Sequence, residues 1–387
     1  MNQTTMPLIS KLPDVGTTIF SVMSRLATQH EAINLSQGFP NYSSDQKLIE
    51  LVTSYMKKGY NQYAPMPGLP ALRERIAAKI DLCYGVAVDP DRELTITAGA
   101  TEAIFNTLAV LVHPGDEVIM LEPAYDAYRP AITLFGGVPV VHALSAPDYR
   151  IDWSLIRQLV TDRTRMIVIN TPHNPTGTIL QTDDLQALQQ LVQDHDLWVL
   201  SDEVYEHLVF DDQTHESLLK YEGLRQKGIA TFSFGKTFHN TGWKTGYVVG
   251  PADFMQEFRK IHQYNVFAVN TPIQHALADF LAEADVWKSL PAFYQQKRDR
   301  FLDLMSATPL RPLACQGTYF QLFDYTAVTK EKDQDFALRL IREYGVAAIP
   351  VSAFHSSGQD DRVIRLCFAK TEDVLESAAL RLAKLGS

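Results

Sequence analysis

Cysteine is scarce. The 387 residues hold three, Cys83, Cys315 and Cys367, and their spacing forms no CxxC or Cys/His pattern, so a metal centre and a disulfide framework are not expected. Sparse, odd thiols suit a reduced, cytoplasmic protein, with the cysteines acting as small buried hydrophobes. Basic charge is also in deficit: 35 Lys and Arg face 45 Asp and Glu, a net charge of −10. That argues against nucleic acid as a partner, because phosphate backbones demand a basic surface. Any anionic ligand must be held by local donors. No run of about 20 apolar residues exists to span a bilayer. Residues 1–12 lack a basic segment followed by an apolar run, so no signal peptide is expected. There is no internal repeat, low-complexity tract or flexible linker. What remains is an ordinary globular composition, 46% hydrophobic and 21% charged, enough for one large or two moderate domains.

A rhythm runs through the middle of the chain. Apolar, β-prone runs at 94–98, 117–121, 138–144, 166–170, 197–201 and 229–233 alternate with helical patterns at 101–112, 125–135, 153–160 and 183–194. Such alternation predicts a mainly parallel α/β sheet with helices on both faces. Before it, the spacing predicts helices over 19–29, 45–56 and 69–83, and a short strand over 33–35. After Pro251 the rhythm stops. Residues 271–306 read as long helical sequence broken near Pro291. Strands at 317–323, 346–349 and 363–368 and helices at 335–344 and 372–385 then make a smaller α+β unit.

Unlike groups follow these strands directly: Gly99, Tyr125, Asn174, Asp202 and Lys236. Ligands of open α/β sheets bind at the carboxyl ends of the strands, so these groups are expected on one rim. Each also has a plainer reading. Lys236, expected in a loop, is a solvated lysine or a nucleophile; its reference pKa of about 10.4 makes it a poor one unless the surroundings neutralise it. Gly99-Ala100-Thr101 is a tight turn or a helix N-terminus offering free N–H groups to a phosphate. Asp202 is a helix cap or a functional carboxylate. Tyr125 and Tyr205 are core rings or ligand contacts, and Asn174 is a turn residue before proline or a donor. Arg365, in the apolar run Val363-Ile364-Arg365-Leu366, is an edge residue or a fork for a carboxylate.

Four motifs in chain order weight these alternatives. They are Asn174-Pro175-Thr176-Gly177, Ser201-Asp202-Glu203-Val204-Tyr205, Ser233-Phe234-Gly235-Lys236-Thr237-Phe238 with Thr241-Gly242-Trp243-Lys244, and the Arg365 run. Together they resemble the class I/II aminotransferases, the fold-type-I enzymes that use pyridoxal 5′-phosphate (PLP). Ser36-Gln37-Gly38-Phe39-Pro40 and Asn61-Gln62-Tyr63-Ala64-Pro65 resemble the kynurenine/methionine branch. The resemblance covers nearly the whole chain. It implies a mainly parallel seven-stranded sheet in a large domain at 45–285, with an arm at 1–44 and a small α+β domain at 286–387. It implies that Lys236 carries the cofactor covalently and serves as general base. Gly99, Ala100, Thr101, Ser233 and Lys244 would hold the phosphate; Lys244, where many members have arginine, keeps the charge but not the bidentate fork. Asp202 would pair with the ring nitrogen, Asn174 and Tyr205 would donate to the phenolic oxygen, and Tyr125 would stack on the ring. Arg365, Gly38 and Asn174 would bind the substrate carboxylate, with Phe20 beside them. Tyr63 would reach the phosphate of a neighbouring subunit, implying a homodimer with shared sites.

The implied reaction moves an amino group from an amino acid donor to a 2-oxo acid acceptor with ping-pong kinetics. The candidate pocket segments, Phe20, Phe39, Tyr63, Tyr125 and Phe354, are aromatic, and no further arginine falls in a matched motif. Methionine, other sulfur-containing or apolar donors and aromatic donors are therefore expected, because a second carboxylate would need a second cation. His355 is expected to be a solvated loop residue or to bind a polar tip. A cysteine-conjugate β-lyase and a kynurenine/glutamine transaminase are alternatives on the same scaffold. An aminotransferase-like regulator would need an attached basic DNA-binding module, which the chain does not show.

Overall fold

The computed structural model describes residues 8–386. Its strands are β1 (Ile33–Asn34), β2 (Leu94–Thr97), β3 (Glu117–Glu122), β4 (Val138–Ala143), β5 (Thr164–Asn170), β6 (Trp198–Asp202), β7 (Gly228–Ser233), β8 (Gly246–Val249), β9 (Arg311–Pro312), β10 (Phe320–Asp324), β11 (Val346–Ala347), β12 (Ile349–Pro350) and β13 (Val363–Cys367). Seven of them form one sheet in the order β2-β8-β7-β6-β5-β3-β4. The pairs from β7 through β4 are parallel. β8 alone is reversed, antiparallel to both β7 and β2, which leaves β2 running with the rest.

β3 shows why the sheet is covered on both sides. All its residues are buried. Ile119 and Leu121 pack with Leu72, Ile76 and Leu185 in one core, while Val118 and Met120 pack with Ile104, Leu108 and Phe258 in another. Successive side chains point to opposite faces, so a strand buried on both faces reads as a continuous apolar run. β4, at the sheet edge, is partly exposed along its length.

Some elements differ from the sequence reading. β8 and the helix Ala252–Asn265 were not anticipated, since four residues show no period and the helix follows a loop where the rhythm seemed to end. The 271–306 stretch forms three helices, Thr271–Phe280, Asp285–Lys288 and Leu290–Met305. One interruption falls at Ser289, near Pro291 as expected, and Pro291 sits in the first turn of the helix that follows, where proline's missing N–H costs nothing. The helix expected from Tyr125 starts at Tyr128.

The C-terminal strands form an antiparallel sheet, β12-β13-β10-β9. β1 pairs with β11 in parallel, and the Cys367 amide donates to the Leu35 carbonyl at 2.9 Å. The N-terminal segment thus lies against the C-terminal sheet, and Leu35, Tyr205, Tyr319, Phe320 and Leu366 share one core.

Candidate active site

The cavity lies at the carboxyl ends of the large sheet's strands. Gly99 precedes the helix Ala100–Leu111 with φ of 77°, and no side chain caps that helix. A positive φ suits glycine, and the uncapped turn leaves N–H groups aimed outward with the dipole's positive end. Gly99, Ala100 and Thr101 line the cavity, as do Ser233 and Lys244. A side chain at Gly99 would come within 3.4 Å of Lys244 Nζ. Lys244 has no carboxylate partner among the described residues.

Asp202, the last residue of β6, also lines the cavity. Its Oδ2 accepts from Tyr128 Oη at 2.6 Å and its Oδ1 from the Val204 amide at 3.3 Å. Burial raises its pKa to about 6 against those hydrogen bonds, since desolvation disfavours the charged form. Tyr125, Tyr205 and Asn174 complete the wall. The Asn174 amide is fixed by Asn170 Oδ1 at 2.7 Å.

Lys236 is not in a loop. It sits in a single helical turn, Phe234–Thr237, begun by Ser233, whose Oγ accepts from the Lys236 amide at 3.4 Å. Two small groups explain the turn: a serine cap and Gly235, where a Cβ would meet Thr241 Cα at 2.9 Å. Burial lowers the Lys236 pKa to about 8; Arg365 and Lys244 act in the same direction and Asp202 opposes them.

Arg365, on β13, is fully buried. Its Nη1 donates to Asn174 Oδ1 at 2.8 Å and its Nη2 to the Ser36 carbonyl at 3.1 Å, while Nε has no partner. The guanidinium lies 3.9 Å from the ring centre of Phe320, 5.2 Å from Phe354 and 5.3 Å from Phe20. Burial lowers its pKa to about 10. Gly38 is pressed against this group: a Cβ there would meet Phe320 at 2.8 Å.

These features have counterparts. The sequence profile of the family "Aminotransferase class I and II" matches residues 30–382. The chain belongs to the class I and II aminotransferases. It is 50% identical to the methionine aminotransferase of Escherichia coli (strain K12), over 98% of this chain and 99% of that one. It is 32% identical to kynurenine–oxoglutarate transaminase 1 of Homo sapiens, over 93% of this chain and 94% of that one. A solved structure of YbdL from Escherichia coli, identified with a methionine aminotransferase function, superimposes with a TM-score of 0.95 at 50% identity, covering 98% of this chain and all of that one.

Class I and II aminotransferases depend on pyridoxal phosphate and use an amino acid and a 2-oxo acid as substrates. The cavity fits that cofactor. An uncapped helix N-terminus and an unpaired lysine suit a phosphate, a buried carboxylate faces the same space, and a lysine with a depressed pKa stands among them.

The aminotransferase site also holds groups that sequence reasoning missed. Tyr128 on Asp202 is one; it lies three residues past Tyr125, across a turn closed by the Tyr128 amide on the Tyr125 carbonyl at 3.3 Å. Tyr319 is the other: Lys236 Nζ donates to its hydroxyl at 2.9 Å, and that hydroxyl donates to the Gly38 carbonyl at 2.6 Å. Its one sequence signal is Gly317-Thr318 before it, a turn with Thr318 at φ of 69°. Two expectations fail within the chain. His355 is buried, not solvated, with neither ring nitrogen partnered, because its loop packs against the end of β3: the Ala124 amide donates to Phe354 O at 3.0 Å. Phe39 and Tyr63 are 44% and 81% exposed and stand apart from the Arg365 group, Phe39 under Lys370 and Tyr63 against Phe267; Phe20, Gly38, Phe354 and Arg365 cluster together beside the cavity rather than in its lining. No helix among the described residues is long and apolar enough to cross a membrane.

Proposed function

We propose that this aminotransferase takes its amino group from methionine and other sulfur-containing, apolar or aromatic L-amino acids and passes it to a 2-oxo acid. The observation that carries the reading is the state of Arg365: a buried cation with no carboxylate in direct contact among the described residues, an unpartnered Nε, and a frame of three phenylalanines. A buried charge without a partner is costly, and an incoming α-carboxylate supplies one through charge-assisted hydrogen bonds. The rings around it favour an apolar side chain on the same substrate. The likeness to a methionine aminotransferase supports the choice.

In this reading the Ala100–Leu111 helix end, Ser233 Oγ and Lys244 Nζ hold the phosphate, Tyr125 packs on the ring face, and Asn174 and Tyr205 donate to the phenolic oxygen. Asp202 would hold the ring nitrogen and favour its protonated form, with Tyr128 Oη on its Oδ2. When bound, the cofactor supplies an electron sink for the charge that develops at the donor's Cα. Lys236 is the covalent anchor and, once free, the base that takes up the Cα proton and returns it one step along. A pKa lowered to about 8 keeps a useful fraction of its amine neutral near physiological pH. Arg365, Gly38 and Asn174 fix the carboxylate so that the Cα proton faces Lys236.

The test is kcat/KM across methionine, phenylalanine, glutamine, kynurenine and aspartate. Methionine and the aromatic donors should lead within a broad profile, since one methylene in an apolar pocket discriminates by about 1–3 kcal/mol. Aspartate as best donor would sink the reading. The human transaminase likeness favours a second one, with kynurenine preferred on the same machinery. Pyruvate and ammonia released from a cysteine conjugate, without an acceptor, would reveal β-lyase chemistry.

The reading extends to a cytoplasmic homodimer with chain divisions at 1–44, 45–285 and 286–387. The arm's pairing with β11 supports the grouping of the first and last parts. The exposed Tyr63 ring supports a role in a partner's phosphate site. Mixed dimers of Tyr63→Ala and Lys236→Ala subunits should regain activity from one intact site each; verified heterodimers without activity would refute shared sites.

A further inference from the structure

We propose that Tyr319 is a positioning residue that, with the Gly38 carbonyl, aims the free amine of Lys236 into the cavity. The inference rests on the reading of Lys236 as the reacting amine. A neutral amine has two N–H donors and one lone pair. Here Lys236 Nζ donates to Tyr319 Oη at 2.9 Å and makes a longer contact to Gly38 O at 3.4 Å. With both hydrogens directed to that side, the lone pair is left facing away from it, toward the space between Asp202 and Lys244. The tyrosine cannot reverse the arrangement, because its own proton is engaged by Gly38 O at 2.6 Å. Its oxygen therefore acts toward Lys236 as an acceptor only.

Both supports are rigid. The Tyr319 ring is fully buried, edge-on to Tyr205 at 5.2 Å and to Phe320 at 4.9 Å. The Gly38 carbonyl is held from both flanks. Lys370 Nζ, itself buried, donates to the Phe39 carbonyl at 2.7 Å and to that of Gln37 at 3.4 Å, and Arg365 Nη2 donates to the Ser36 carbonyl at 3.1 Å. Two cations, Lys370 and Arg365, thus hold the backbone of residues 36–39 on either side of the Gly38 carbonyl. A lysine side chain has four rotatable bonds, and fixing its terminus before reaction removes that freedom in advance.

The test uses the full-length Tyr319→Phe chain, which keeps the ring and deletes the hydroxyl. In the cofactor-free protein, covalent capture of PLP, trapped by borohydride and mapped to Lys236, should slow about tenfold. Binding of pyridoxamine phosphate, which cannot be captured, should change less than about twofold, because phosphate contacts are untouched. In turnover, kcat should fall about tenfold with KM for methionine nearly unchanged, and Cα-deuterated methionine should show a larger isotope effect as proton transfer becomes more limiting. Capture at the wild-type rate together with an unchanged isotope effect would overturn the proposal. Should Tyr319→Phe not fold, Lys370→Met, which frees the Gln37 and Phe39 carbonyls flanking that of Gly38, must slow capture in the same sense; unaltered capture there also refutes the bracket. A wild-type chain that traps label at another lysine would instead defeat the assignment of Lys236 itself.

Discussion

Asp202 and Ser233 end the neighbouring strands β6 and β7 of one sheet, and Lys236 lies in the helical turn that follows β7. Phe20, Gly38, Tyr319 and Arg365 come from an N-terminal helix, an N-terminal loop and two C-terminal strands or their approaches, and meet only because β1 and Leu35 lie against the C-terminal sheet. The electrostatics differ as well. At the first group, charges of both signs face one cavity, Asp202 against Lys236 and Lys244. At the second, Arg365 stands among rings with no carboxylate in direct contact among the described residues, Asp126 acting on it only from further off. The lesson is a division of labour. The groups proposed to hold the cofactor are built into strand ends, where geometry is fixed by a ladder of hydrogen bonds. The groups proposed to meet the substrate are brought together from segments far apart in the chain. Lys236 and Asn174 join the two, through Tyr319 and Arg365 respectively.

If that division is right, damage at the strand ends should abolish chemistry, and damage across from them should weaken substrate binding. Lys236→Ala is expected to cost about 10⁴-fold in turnover or more, yet still retain the cofactor non-covalently, read by equilibrium dialysis. A variant that loses the cofactor altogether would show that the phosphate donors do not suffice. Asp202→Asn should lower kcat by about 10²–10³-fold while preserving fold and loading. Its pH behaviour sharpens the point. With a carboxyl pKa raised to about 6 in the free chain, the ionised form that favours a protonated ring is present above that pH and lost as pH falls through it. Wild-type PLP affinity should therefore drop below about pH 6, and the asparagine variant should not share that drop.

Arg365→Leu probes the other side. It should lower kcat/KM for methionine by roughly 10–100-fold, mainly through KM, the size of lost hydrogen bonds to a charged group. PLP loading, measured by absorbance, should not move; a large fall in loading would break the comparison. Tyr128→Phe is the smallest change. It removes one hydrogen bond from Asp202 and should cost about 2–10-fold in kcat, with the pH at which PLP affinity fails moving upward, because the carboxylate loses a donor that lowered its pKa.

Much of the first group was legible in the chain. Apolar runs of strand length, each followed by a glycine, an acid or a lysine, place those residues on one rim without knowledge of any contact. The turn at Lys236 was misread as a loop because a four-residue helix has no periodicity to read. β8 escaped for the same reason, although it separates β7 from β2 and so sets the spacing between Lys236 and the Gly99 turn that follows β2. His355 was misjudged because its burial is supplied by β3, far away in sequence.

The sequence by itself determined the parallel strands of the sheet and the helices between them through local periodicity, the polar groups at the strand ends through the few residues that close each strand, and the family through the motifs it resembles. The tertiary structure alone decided that Tyr319 meets Lys236, that Tyr128 meets Asp202, and that three phenylalanines surround Arg365. The shifted pKa values of Asp202, Lys236 and Arg365 belong with them. Each is dominated by burial, and burial is a property of which segments pack together, carried by no spacing along the chain.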